Sequence, residues 1–261
     1  MKFSKILSFC ILSIVCIQLQ AQQIVGYAPY YRTYSANFDF TKYTHIHFFS
    51  IWPNADGSFN YPQSQDSLSL KKKFDDITAK ANGAKMIMTF GGTHVNGSKH
   101  FEELSTDETA RKNFVTRVIA LCKAWNIDGV DIDWEGLSGA NAKQGNIDLM
   151  TDLRKATTEN NLSLSIDVPA SAYSGNNYDV NAIDLADYIN VMGYEYNGSW
   201  SKTALHHADM NKIVSLGLDY WTGKGLSKNK LNLGCSFYAK KYTGTNTVGS
   251  SFTEAITLTF E

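Results

Sequence analysis

The sequence predicts an α/β fold: a (β/α)8 barrel of the TIM type, incomplete at its C-terminal end because no eighth strand is visible. Three observations predict it. Seven β-like runs alternate with helical patterns along 261 residues, a length that suits one large barrel core. No glycine-rich phosphate loop follows the first run, which argues against an open doubly wound sheet. One run threads acidic side chains through an otherwise apolar strand, and its last acid falls at the carboxyl end, where barrel enzymes place their chemistry.

The chain opens with MKFSKILSFCILSIVCIQLQA, in which two lysines precede an apolar run over 6–17. This is the plan of a secretory signal peptide, and the run is too short to span a bilayer comfortably. The expected organisation is a signal peptide over 1–21 and one catalytic barrel over 22–261, secreted to an extracellular or periplasmic space. Cleavage leaves 22 basic against 25 acidic residues, a formal charge of −3. That balance gives no footprint for nucleic acid or for an anionic membrane. No membrane partner is expected after cleavage, and the protein is expected to act as a monomer. Cys122, in a helical pattern, and Cys235, in a strand pattern, are too few for a disulfide framework and read as small buried hydrophobes. The 14 Tyr, 14 Phe and 5 Trp fit either a large core or a sugar-binding cleft.

The strand candidates in order are QIVGYAPYY (23–31), HIHFFSIW (45–52), KMIMTFGG (85–92), GVDIDWEG (129–136), LSLSIDVPA (162–170), YINVMGYEY (188–196) and LNLGCSFYA (231–239). Helical patterns cover 67–81, 107–125, 145–159 and 211–222. After residue 239 the chain offers KKYTGTNTVGSSFTEAITLTFE, read mainly as the start of a connection, with ITLTF the only strand-like piece.

The stretch NIDGVDIDWEGL, residues 126–137, carries the chemistry. Side chains alternate along a strand, so Asp131, Asp133 and Glu135 share one face and Ile132 and Trp134 the other. In a barrel the apolar pair faces the helices and the acids point inward. Three crowded carboxyls of low solvation cannot all stay ionised, and a carboxyl that keeps its proton is what a leaving oxygen needs. The cluster reads as a device that keeps Glu135 protonated. Asp128, at the bottom of the strand, reads as structural. A calcium loop would need glycine and polar spacing in place of Val, Ile and Trp, and no metal or other cofactor is expected. His45 and His47 alternate on the second run and hint at a zinc pair, but no third ligand of suitable spacing accompanies them. Gly91 and Gly92 would let the third strand end close beside a substrate floor.

DGVDIDWE resembles the Asp-x-x-Asp-x-Asp-x-Glu signature of glycoside hydrolase family 18, the chitinases and endo-β-N-acetylglucosaminidases. KMIMTFGG, INVMGYEYNGSW and KLNLGCSFYAKKY are similar to that family's third, sixth and seventh strands. The resemblance implies a secreted glycosidase cleaving β-1,4 bonds next to N-acetylglucosamine by a substrate-assisted retaining mechanism. Its partner would be an oligosaccharide or polysaccharide containing N-acetylglucosamine. It implies Glu135 as acid, Asp133 orienting the acetamide, Asp131 sharing a proton with Asp133, and Tyr194 donating to the acetamido carbonyl. Tyr27, Met192 and Tyr238 would line the sugar pocket. Thr89 stands where the family has Ser, and Glu195 where it has Asp. The floor tryptophan of the family's eighth strand has no counterpart. The rival reading is a catalytically inactive glycan-binding lectin on the same fold.

Overall fold

The computed structural model describes residues 23–34, 38–61, 66–93 and 95–259; the segment expected to be a signal peptide lies outside the described residues. The strands are β1 (Val25–Pro29), β2 (His45–Pro53), β3 (Phe59–Asn60), β4 (Lys85–Gly92), β5 (Gly129–Trp134), β6 (Ser163–Pro169), β7 (Tyr188–Met192) and β8 (Leu231–Leu233). They form one sheet in the order β1-β2-β4-β5-β6-β7-β8, all parallel, with β3 antiparallel on β2. Parallel pairing requires a crossover between neighbours, and the helices supply it. These are α1 (Ser67–Thr78), α2 (Phe101–Thr106), α3 (Glu108–Trp125), α4 (Gly139–Glu159), α5 (Ala172–Gly175) and α6 (Val180–Asp184). Among the described residues the parallel sheet stays open between β1 and β8. The Asn232 amide, 3.4 Å from Gln23 Oε1, reaches between the segments at its two edges.

The helices form where the sequence caps them and where apolar residues recur every three or four positions. Asp66 accepts from the Ser69 amide to start α1, and Asp107 from the Ala110 amide to start α3. Each such cap is worth about 1 kcal/mol. Helix α3 buries Ala110, Phe114, Val118, Leu121, Cys122 and Trp125, and Asn126 closes it in the left-handed conformation at φ 56°. That turn delivers Asp128 to the foot of β5, where its carboxylate accepts from the Met86 amide at 2.8 Å and faces Lys85, as a structural acid should.

The outward face of β5 is sealed. Trp134 stacks on Phe101 with centroids 5.1 Å apart, and Phe101 and Phe90 meet Phe114 edge-on. The inward face is polar, and it holds the site.

Four expectations are corrected. The run over 231–239 is not one strand: β8 stops at Leu233, and Tyr238 belongs to β9 (Tyr238–Thr243). The segment read as a connection contains β10 (Glu254–Thr259), which pairs antiparallel with β9 as a separate two-stranded sheet. Without a helix to cover it, that tail exposes its alternate apolar residues instead of entering the barrel. Cys235 falls between β8 and β9 and is exposed, whereas Cys122 is buried as expected. The helix expected over 211–222 is broken into α7 (Met210–Lys212), a π-helical turn (Ile213–Asp219) and α8 (Tyr220–Gly223).

Candidate active site

Strand register assembles the inward face. Thr89 pairs with Asp131 and Gly91 with Asp133 across β4–β5; Asp131 pairs with Ser165 across β5–β6; Asp167 pairs with Asn190 across β6–β7; Tyr27 pairs with His47 across β1–β2. Positions two apart on a strand share a face. These polar side chains therefore fill the interior of the open barrel.

Asp131 lies at the centre and is fully buried. Ser165 donates to its Oδ1 at 2.6 Å, Thr89 to its Oδ2 at 2.9 Å, and the Tyr27 hydroxyl lies 3.2 Å from Oδ2. His47 Nδ1 stands 3.1 Å from Oδ2 with both side chains fully enclosed. Burial disfavours the Asp131 charge, but His47 and the Ser165 and Thr89 hydroxyls outweigh it and hold the carboxyl below the usual range. Asp131 is the ionised member of the set.

Asp133 behaves in the opposite way. Burial first, then the charges of Glu135 and Asp131, lift its carboxyl well above the usual range. Its Oδ1 is buried without a hydrogen-bond partner among the described residues. The crowding expected from the sequence does hold a proton, and it does so at Asp133, between an ionised Asp131 and Glu135. Glu135 follows the end of β5 and is half-buried. Its amide donates to Ser98 Oγ at 2.8 Å, and that hydroxyl also contacts the carbonyls of Gly92 (2.6 Å) and Asp133 (2.9 Å). Ser98 therefore ties the loop after β4 to the turn that carries Glu135.

The glycines allow this closeness. Gly91 and Gly92 lie at φ 116° and 115°, and a Cβ on Gly91 would stand 2.0 Å from the Asp133 carbonyl oxygen. Their part is close packing of the strand end.

Tyr194 follows β7, and its hydroxyl is pushed well above its usual range by burial and then by the Asp167 and Asp133 charges, so it remains a donor. Its ring meets that of Tyr238, on β9, edge-on at 5.9 Å. Met192 is half-buried at the end of β7. Glu195 takes the left-handed conformation at φ 62° and turns outward. It accepts from the Tyr238 hydroxyl (3.1 Å) and from Lys240 (3.0 Å). Tyr27 exposes part of its ring beside the open edge while its hydroxyl lies between Asp131 and Asp167.

Five site residues, Ser165 among them, escaped the sequence reading. His47 was visible only as half of a weak zinc pair. Asp167 accepts from the Tyr27 hydroxyl at 2.5 Å and from Asn190 at 3.0 Å, and burial followed by the Asp131 and Asp133 charges lifts it well above its usual range. The alternation Ser163, Ser165, Asp167 in SLSIDVP was the signal for it. Asn190 and Ser98 complete the set.

The family model described as "Glycosyl hydrolases family 18" matches residues 23–259. Among curated proteins, the "Probable endochitinase" of Caenorhabditis elegans is 26% identical over 231 residues, covering 78% of this chain and 37% of that protein. The "Probable chitinase 2" of Drosophila melanogaster is 30% identical over 180 residues, covering 64% of this chain and 36% of that protein. The chain spans less than half the length of these curated relatives. Among solved structures, a second catalytic domain of the Group II chitinase of Ostrinia furnacalis shares 26% identity at a TM-score of 0.75, covering 88% of this chain and 69% of that one. The Group IV chitinase of the same organism in complex with allosamidin shares the fold at a TM-score of 0.76 and 24% identity, covering 89% and 72%.

Proposed function

Because the chain belongs to glycosyl hydrolase family 18, we propose that it cleaves β-1,4 linkages next to N-acetylglucosamine, in chitin oligomers or in the chitobiose core of N-glycans. The observation that carries this reading is the division of labour along β5: Asp131 held as an anion, Asp133 holding a proton, and Glu135 next in line at the strand's carboxyl end. Relatives named as chitinases support the substrate class.

In the proposed reaction the proton held at Asp133 passes to Glu135, and Glu135 gives it to the glycosidic oxygen as the bond from that oxygen to the anomeric carbon breaks, which leaves Asp133 ionised. The substrate's own acetamido carbonyl oxygen forms a bond to that carbon from the other face, giving an oxazolinium ion. Tyr194 donates to the acetamido group and Asp133 accepts its N–H, which aligns the carbonyl for attack. The buried negative charge of Asp131 stabilises the positive charge that develops, and low solvation strengthens that attraction. Water then adds to the anomeric carbon, its proton returns to Glu135, and configuration is retained. The mechanism departs from the two-carboxylate retaining scheme because the second nucleophile belongs to the substrate.

Secretion after removal of residues 1–21 and action as a monomer belong to the same proposal. Product analysis on chitotetraose beside a high-mannose glycopeptide tests it and separates the two substrates. Shorter products from either support the hydrolase; tight binding with no products supports the lectin.

A further inference from the structure

Glu135, Asp133, Asp131 and Tyr194 account for the chemistry above, but one buried carboxyl has no part in it. Asp167 stands on β6, the strand between β5 and β7. The β5–β6 pairing runs up to Ile132 with Ile166, so the next residues, Asp133 and Asp167, stand level on neighbouring strands. Both point inward by alternation, and both are 4% exposed. Tyr27 of β1 donates to Asp167 Oδ1 at 2.5 Å, and Asn190 of β7 donates to the same oxygen at 3.0 Å. Asn190 also donates to the Tyr27 hydroxyl at 2.9 Å. Its own Oδ1 accepts from Asn232 of β8 at 3.1 Å, which turns its NH2 toward Asp167. Oδ1 of Asp167 is thus engaged twice, and Oδ2 takes no hydrogen bond among the described residues.

Two carboxyl oxygens are therefore left over at one level of the wall. Asp133 Oδ1 is buried without a partner among the described residues, and Asp167 Oδ2 stands beside it on the next strand. Enclosed polar atoms call for partners, and a ligand can bring them. The proposed reaction places the substrate's 2-acylamino group between Asp133 of β5 and Tyr194, which follows β7. A group that bridges β5 and β7 crosses β6, and the inward β6 residue at that level is Asp167. After burial, the charges that act most on the Tyr194 hydroxyl are those of Asp167 and then Asp133, as neighbours in one pocket should. An acetamido group has one N–H, and Asp133 takes it. Its methyl end offers Asp167 nothing.

We propose that Asp167 is a specificity-determining residue: it selects a substrate whose 2-acylamino group ends in a hydroxyl, N-glycolylglucosamine, over N-acetylglucosamine. The inference rests on the glycosidase reading for the placement of that group. A hydroxyl both donates and accepts, so it pairs with Oδ2 whether the Asp167 carboxyl is ionised or protonated. The match does not depend on where the protons of the acidic wall lie. The added hydroxyl is one carbon beyond the carbonyl, so attack by the carbonyl oxygen proceeds as before. N-acetylglucosamine remains a substrate, with the lower kcat/KM, because a polar group built to meet a substrate hydroxyl is left unpaired by the analogue that lacks it.

The test compares kcat/KM on two fluorogenic chitobiosides, one carrying N-acetyl and the other N-glycolyl groups, for wild-type protein and Asp167→Ala. Wild type should favour the N-glycolyl substrate about tenfold, the scale of one net hydrogen bond. Asp167→Ala should bring that ratio to about one or below, because alanine leaves an apolar end that suits the methyl group. The substitution also frees the Tyr27 hydroxyl and the Asn190 amide, which lowers the rate on both substrates alike. A ratio that stays the same while both rates fall marks a purely structural role and overturns the inference. A wild type that favours the N-acetyl substrate, or treats the two alike, also overturns it. Calorimetric titration of wild-type protein with the N-acetyl and N-glycolyl tetrasaccharides needs neither turnover nor a variant that folds. About tenfold tighter binding of the N-glycolyl form supports the inference; equal binding, or no binding of either, overturns it. If wild-type protein turns over neither chitobioside, the glycosidase reading falls, while the titration still decides the part played by Asp167.

Discussion

Replacing Asp133 by asparagine should make the protein more stable and less active, and the stability gain should depend on pH. Asp133 is 4% exposed, and its carboxyl is lifted well above the usual range by burial and by the charges of Glu135 and Asp131. A carboxyl lifted in this way holds its proton more tightly in the folded chain than in the unfolded one. Below the unfolded pKa both states are protonated and the lift has no effect on stability. As pH rises from there to the folded pKa, stability falls, by about 1.4 kcal/mol for each unit of lift. Above the folded pKa the whole penalty is present. Asparagine has the same shape and never ionises, so it removes the penalty. In a domain of this size 1 kcal/mol moves Tm by about 2–4 °C, so Asp133→Asn should melt higher than wild type by about 3–5 °C per unit of lift at pH 8, and level with it at pH 4. Turnover of a chitobioside should fall by about 100-fold over the same series. Differential scanning calorimetry in matched buffers reads the first effect and a fluorogenic assay the second. A variant that melts at or below wild type at pH 8, or a gap that does not widen from pH 4 to pH 8, would refute the reasoning.

The remaining predictions concern the residues that hold this arrangement. Asp131→Asn replaces a carboxylate that accepts from Ser165, Thr89 and Tyr27 by an amide whose NH2 cannot accept, and should cost about 1–3 kcal/mol at pH 7, read as a Tm drop of about 5 °C. Gly91→Ala drives a Cβ to within 2.0 Å of the Asp133 carbonyl at a φ that L-residues avoid, so it should cost about 3 kcal/mol and most of the activity. Gly83→Ala, also at positive φ but with nothing within 4 Å, should cost only about 1 kcal/mol and leave turnover intact, which makes it the control for urea unfolding of the pair. Ser98→Ala frees the Glu135 amide and the Gly92 and Asp133 carbonyls from their shared hydroxyl, and should lower kcat about tenfold with KM unchanged and stability down by about 1–3 kcal/mol.

The parallel barrel was legible because its signals are local. The strands are apolar runs of the right length, and α1 and α3 have both stripe and cap: Lys85–Gly92 was read to the residue, and the caps at Asp66 and Asp107 sit at the expected starts of α1 and α3. The acidic face of β5 was legible for the same reason, since alternation alone places Asp131 and Asp133 together. The rest depended on partners far away in sequence. Asp167 and Asp131 have the same side-chain chemistry at their inward positions. What makes them differ is the donor set that other strands bring: Thr89, Ser165 and His47 for one, Tyr27 and Asn190 for the other. Ser98 lies in a loop, and only the return of that loop against Gly91 makes it a neighbour of Glu135. The break at Leu233 was hidden because LNLGCSFYA has continuous strand character; β9 pairs with β10, which the sequence showed only as an isolated apolar patch. Glu195 was correctly seen as a departure, but its escape through a positive φ toward Tyr238 and Lys240 is a property of the folded turn.

Turnover of a fluorogenic chitobioside and of the matching cellobioside, by wild-type protein and by Glu135→Gln, tests most directly the claim that an acid at the end of β5 works with the substrate's own acetamide. The account predicts release from the chitobioside alone, and a loss of at least about 1,000-fold on substitution of Glu135. Equal release from the cellobioside, or undiminished release by Glu135→Gln, would contradict it.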